Sequence, residues 1–248
     1  MRRLIVLLVL LLASHAGAAV PSDVEPCGIA PRYVTPTKPL AALKTAIATH
    51  RDVSILAVGS GATTGGGSTR AGDAYPIRML DLLRAALPHR EITLTVRGGR
   101  GMTAVEMLPL VETELKQTPL TVVVWQTGTV EAIKAMRADR MRQALRTGLE
   151  AIHGAGADLV MVDPQFTRAL RANTDLEPYE TELQQIGALP GADLFHRYEL
   201  TRGWALDGRI DPERAPKEKR EAVLNDLNSC VGEAMARYLL NGAGVVVP

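Results

Sequence analysis

Residues Ile55 to Gly67 read ILAVGSGATTGGG, and this stretch decides the fold. Ile55, Leu56, Ala57 and Val58 have the composition of a short buried strand, and a run rich in Gly, Ser and Thr turns the chain at once. Beyond the turn, AYPIRMLDLLRAALP sets Ile77, Leu80, Leu83, Ala86 and Leu87 on one helical face. A strand, a glycine-rich loop and an amphipathic helix in that order open an α/β sheet, where function gathers at the loop after the strand.

Two phosphate-binding uses of such a loop fail on residue identity. A phosphate-binding loop needs a Lys after its second glycine, and none occurs between Lys44 and Lys116. A dinucleotide fold wants GxGxxG and an acidic residue at the end of the next strand. Here Gly59, Gly61 and Gly65 are one residue too wide, and the next strand, ITLTV, runs into Arg97.

Outward from that stretch the same alternation continues. Strands are predicted at 53–58, 92–96, 121–126 and 158–162, with ADLF as a short last one; helices are predicted at 40–49, 103–115, 139–154, 179–186 and 223–240. The continuously apolar LTVVVWQTG reads as a central parallel strand. The expected fold is α/β, a three-layer α/β/α sandwich around a parallel sheet, with one core. Residues 19–50 form an N-terminal arm and first helix, 51–241 the main domain, and 242–248 a tail.

Before the arm, Arg2 and Arg3 precede an apolar run from Leu4 to Ala13, and Ala16, Gly17 and Ala18 make a small-residue cleavage site. Residues 1–18 therefore read as a secretory signal peptide, too short in its apolar run to span a bilayer. The mature protein is expected to be exported, periplasmic or secreted, with no membrane span. In an exported chain two cysteines most simply form one disulfide, Cys27 to Cys230. A formal net charge of +1 with interspersed signs gives no field to gather nucleic acid or anionic lipid. An aromatic content of 4% argues against a wide stacking platform for polysaccharide. No cluster of His, Cys or carboxylates has ligand spacing, so neither metal nor cofactor is expected.

Several separated stretches carry a resemblance. After the GSGATTGGG loop come Tyr75 and Pro76, RGGRGMT from Arg97 to Thr103, WQTGT from Trp125 to Thr129, DPQF from Asp163 to Phe166, LFHRYELTRGW from Leu194 to Trp204, and Cys230. In this order they resemble the blocks of the SGNH (GDSL-like) hydrolases, in particular a secreted bacterial group with a GSSSTAG-like loop, over about residues 50–240. The resemblance implies an esterase fold and a catalytic serine, asparagine and histidine at set positions.

Each of those positions holds something else. The nucleophile slot falls on Gly61, with Ser60 one residue early, so Ser60 is expected to be a loop serine capping a backbone group. Gly101, followed by Thr103, matches the oxyanion glycine. The GTN block reads Gly128, Thr129, Val130, and valine donates nothing. Near Asn225, Asp226 and Cys230 the histidine slot is Ala222 or Val223, and aligning Asp207, Gly208, Arg209, Ile210 instead puts Ile in that slot. No His follows His196, which is expected away from the site, while His50, His89 and His153 look solvated. The expected protein has kept the fold and a pocket, formed by positions such as Ser60, Gly61, Gly101, Thr129 and Val130, for an acylated glycan or cell-envelope ligand, but has lost the chemistry. The alternative is a working esterase or deacylase with a displaced site, using Ser60 and a carboxylate such as Asp207 or Asp226. What lies within reach of Ser60 separates the two.

Overall fold

Residue alternation along the strands divides the core in two, and the helices follow that division. The structure is a computed structural model that describes residues 27–65 and 71–245; the segment read from the sequence as a signal peptide lies outside them. The elements run α1 (Ala41–Ala48), β1 (Val53–Gly59), α2 (Gly61–Thr64), α3 (Tyr75–Ala86), β2 (Ile92–Gly98), α4 (Ala104–Gln117), β3 (Val122–Gln126) and α5 (Thr129–Ile133). They continue through α6 (Ala138–Gly154), β4 (Asp158–Val162), α7 (Arg168–Asn173), α8 (Glu177–Gly187), β5 (Ala192–Phe195), α9 (Arg197–Leu206) and α10 (Arg220–Gly242). The five strands form one parallel sheet in the order β2-β1-β3-β4-β5.

On one face of the sheet Val53, Ile55, Val122, Val124, Val160, Val162 and Phe195 pack with α1, α3 and α10; on the other, Leu56, Val58, Val123, Trp125, Leu159 and Met161 pack with α4, α6 and α8. Both faces of a parallel strand are thus apolar, which is why β1, β3 and β4 read as continuous apolar runs. Each fully buried aliphatic side chain contributes about 1.5–3 kcal/mol. The three-layer sandwich expected from the sequence is the one observed.

Local signals set the helix starts. Pro76 occupies the first turn of α3, where its missing N–H costs nothing. Thr103 and Glu106 close a reciprocal capping box on α4. Where α3 meets α10, a Cβ on Gly232 would lie 2.5 Å from Arg78 Cβ and 2.9 Å from the Tyr75 carbonyl oxygen, so only glycine lets the two backbones approach.

The N-terminal arm is stitched to the sheet by two buried carboxylates. Asp193 on β5 accepts from Thr37 Oγ1 at 2.8 Å and from the Lys38 amide at 3.0 Å; Asp158 on β4 accepts from the Ala42 and Leu43 amides at the start of α1. Cys27 and Cys230 are disulfide-bonded, as expected, with sulfurs 2.01 Å apart. Leu40 N–H donates to the Gly242 carbonyl, tying the arm to the end of the last helix. Among the described residues no helix is long and apolar enough to cross a membrane.

The short helices α2, α5, α7 and α9 were not expected; α2, α5 and α7 have only four to six residues each, while α9 buries Leu200, Thr201, Trp204 and Ala205 at helical spacing. His196, placed at an element end by the sequence, is the residue at which β5 hands over to α9.

Candidate ligand site at the carboxyl end of the sheet

With β1 flanked by β2 on one side and β3 on the other, the connections leave in opposite directions and open a crevice at the carboxyl ends of β1 and β3. The loops that follow β1, β2 and β3 meet there. Gly99 N–H donates to the Gly59 carbonyl at 3.2 Å, and a Cβ on Gly98, whose φ is +111°, would stand 2.0 Å from the Gly59 oxygen. Lys134 Nζ reaches the Gly101 carbonyl at 2.8 Å. Fully buried Glu131 accepts from the amides of Ala104 and Gly128 and from Thr127 Oγ1, which locks α4 and α5 together.

Ser60 sits at the turn from β1 into α2, and the last residue of β3 decides what it can do. Gln126 Oε1 accepts three hydrogen bonds, from the Ser60 amide at 3.0 Å, from Ser60 Oγ at 3.0 Å and from Thr63 Oγ1 at 3.3 Å. Ser60 occupies the N-cap position of α2, but its hydroxyl caps no backbone group. The expectation of a capping serine is corrected: Gln126, 66 residues away, offers a buried acceptor directly opposite. Thr63 extends the cluster to the hydroxyl of buried Tyr75, whose pKa burial pushes up against the opposing pull of Arg197.

Ser60 and Gln126 line a cavity of about 620 Å³. Ala62, Leu170 and exposed Ile133 supply apolar wall, and Thr129, Gln165, Asn173 and Thr174 supply neutral hydrogen-bonding groups. The one charged side chain in the lining is Arg197, which is only 2% exposed. Its Nε donates to the Asp163 carbonyl at 3.1 Å and its guanidinium lies 6.0 Å from the Tyr75 ring centre. Burial pushes its pKa down, opposed by Tyr75 and Asp163. Among the described residues its terminal nitrogens have no hydrogen-bond or carboxylate partner.

The residues singled out by sequence are partly gathered here. Ser60 and Thr129 line the cavity; Gly61 begins α2, Val130 follows Thr129 in α5, and Gly101 turns the chain after β2 with φ +79°. Asp207 caps the far end of α9, exposed, and Asp226 lines a separate cavity beside the disulfide with Arg209 and Ile210. Ala222 and Val223 stand in the first turn of α10, and none of these six lines the Ser60 cavity. Sequence reasoning missed Gln126 and Arg197.

His196 lies next door. It lines a cavity of about 80 Å³ with Asp163, Glu180 and Tyr198, its Nδ1 3.8 Å from Asp163 Oδ2, an ion-pair separation. The Asp163 carboxylate pushes the imidazole pKa up, and burial pushes that of Asp163 itself up. His50, His89 and His153 are exposed, as expected.

A family model described as the non-GDSL lipase-like family matches residues 26–245. A comparison with curated proteins finds no match. Among solved structures, the chain is similar to the psychrotrophic esterase EstA from Pseudoalteromonas sp., with 16% identity and a TM-score of 0.53, over 74% of this chain and 99% of that one. It is also similar to the acetylxylan esterase Axe2 from Geobacillus stearothermophilus, with 16% identity and a TM-score of 0.57, over 77% and 94%. A two-domain esterase active on acetylated mannans matches at 12% identity and a TM-score of 0.59, over 80% of this chain and 54% of that one. These likenesses concern the fold.

Proposed function

The chain belongs to the non-GDSL lipase-like family, and on that premise we propose that it is an exported protein of SGNH-hydrolase fold that binds an acylated glycan or other cell-envelope ligand without cleaving it. The observation that carries this is the bond from Ser60 Oγ to Gln126 Oε1. A serine hydroxyl becomes a nucleophile only when a neighbouring base takes its proton, and a carboxamide oxygen is far too weak a base to do so at neutral pH. The cavity lining offers no His or carboxylate in its place. With Val130 where the family carries an asparagine, a developing oxyanion also lacks one donor, a loss that typically costs about 10²-fold to 10³-fold in rate.

The glycan part of the reading rests on two supports. The hydroxyl and amide groups of the cavity suit sugar hydroxyls, and two of the fold neighbours are an acetylxylan esterase and an esterase active on acetylated mannans. The experiment is hydrolysis of short acyl esters together with labelling by a serine-directed fluorophosphonate. We expect neither above background, and we expect Gly61→Ser alone to change nothing. Turnover by the unmodified protein that Ser60→Ala abolishes would replace this reading with an esterase built on Ser60.

A further inference from the structure

We propose that the Ser60 cavity recognises a carboxylate on a hydroxyl-rich ligand, with the Arg197 guanidinium and the Gln126 side-chain amide as its donors. This rests on the non-hydrolytic binding reading and names the ligand class within it. Arg197 is 2% exposed and Gln126 1%, and both line the same cavity. Buried charged and amide groups are ordinarily satisfied by partners. Here each is satisfied on one side only.

Arg197 Nε is held by the Asp163 carbonyl, which fixes the guanidinium without neutralising it. Gln126 Oε1 is saturated by Ser60 and Thr63, which orients the carboxamide and leaves its NH2 group without a partner among the described residues. The sealed polar atoms that lack a hydrogen-bond partner, such as Arg78 Nε, Trp125 Nε1 and Trp204 Nε1, lie elsewhere. The Arg197 terminus and the Gln126 amide therefore keep contact with the cavity.

Among the described residues no carboxylate lies within ion-pair distance of Arg197, and the buried Asp163 that pulls on its charge turns its own carboxylate toward His196, so the cavity side of the guanidinium suits one negative charge on the ligand. A carboxylate carries one, whereas inorganic phosphate or a phosphate monoester near neutral pH carries up to two and leaves an excess buried. A guanidinium also pairs with the planar carboxylate through two parallel hydrogen bonds, which gives geometry as well as attraction. Thr129, Gln165, Asn173 and Thr174 surround the charge with groups suited to hydroxyls. An oligosaccharide carrying one uronic acid is the simplest probe of this chemistry, and its methyl ester is the neutral control of nearly the same shape.

The test is calorimetric titration of the full chain with both forms. We expect the acid to bind at least tenfold more tightly than the methyl ester, acetate supplied alone to displace the acid, and Arg197→Met to bring the two forms within about twofold. Because Arg197 is buried, the variant is first checked by thermal melting, and the wild-type acid-to-ester ratio and acetate competition stand without it. Equal affinity of wild type for the two forms, or binding of neither, overturns the carboxylate assignment. So does inorganic phosphate displacing the acid more strongly than acetate, or a folded Arg197→Met that keeps the preference. Release of methanol from the ester is a different outcome, since it sinks the non-hydrolytic reading and is scored separately from affinity.

Discussion

Two neighbouring cavities at the carboxyl end of the sheet divide between them what an esterase keeps together. In one, Ser60 has an acceptor, Gln126, that cannot take its proton. In the other, His196 has a carboxylate, Asp163, and no serine. The partition runs through a single residue. The main-chain carbonyl of Asp163 holds Arg197 in the Ser60 cavity, while its side chain faces His196 in the smaller one. Consecutive residues after β5 thus serve opposite sides, and the lesson is that a complete set of reactive side chains amounts to no catalytic device until one cavity holds them all.

The sharpest way to break this contrast is at Gln126. Gln126→Leu removes the acceptor from the Ser60 amide, the Ser60 hydroxyl and Thr63 Oγ1 together, so urea unfolding should show a loss of about 3 kcal/mol. Ser60→Ala removes only one of those donors and should cost about 1 kcal/mol. Equal losses from the two changes would mean that Gln126 is not the hub of the site.

A smaller effect sharpens the other side. His196 has its pKa raised in the folded state, so the stability it contributes is fully present below the ordinary imidazole value and is lost as pH rises through the folded one. The raised pKa of Asp163 acts in the same direction. The pair is flanked by Glu180, Tyr198 and Glu199. Relative to His196→Gln, the wild type should be more stable at pH 5.5 and indistinguishable at pH 8. With the imidazole 46% exposed, the gain should stay under about 1 kcal/mol. A pH-independent difference would mean that the Asp163 contact does not act through charge.

The architecture was legible in the sequence because it is periodic. Apolar runs such as ILAV and TVVVW, short, rich in β-branched residues and bounded by turn residues, read as strands covered on both faces, and their helices repeat apolar residues at helical spacing. The short α5 and α7 escaped because five and six residues give that signal too few turns, whereas α9 was missed although Leu200 and Trp204 repeat at helical spacing. At the site, Ser60 and Thr129 were placed by their loops, but the bond from Ser60 to Gln126 spans 66 residues and leaves no local pattern. Arg197 belongs to a residue type that is ordinarily exposed; its burial depends on Tyr75 and the Asp163 carbonyl, which only the folded chain brings near.

The stitched N-terminal arm bears on the order in which the molecule can assemble. The first described residues find their partners among residues made much later. Cys27 waits for Cys230, Leu40 for Gly242, Thr37 for Asp193, and the core around Val34 and Leu43 for the helix that ends the domain. A chain emerging from its amino end can form β1, β2 and β3 while one face of that sheet is still bare. Closing that face needs contacts across some two hundred residues, the separation at which folding is slowest. The arm is therefore made before the sheet it joins and is among the last segments to come to rest, and a growing chain must keep the apolar residues of that open face out of other associations until α10 arrives.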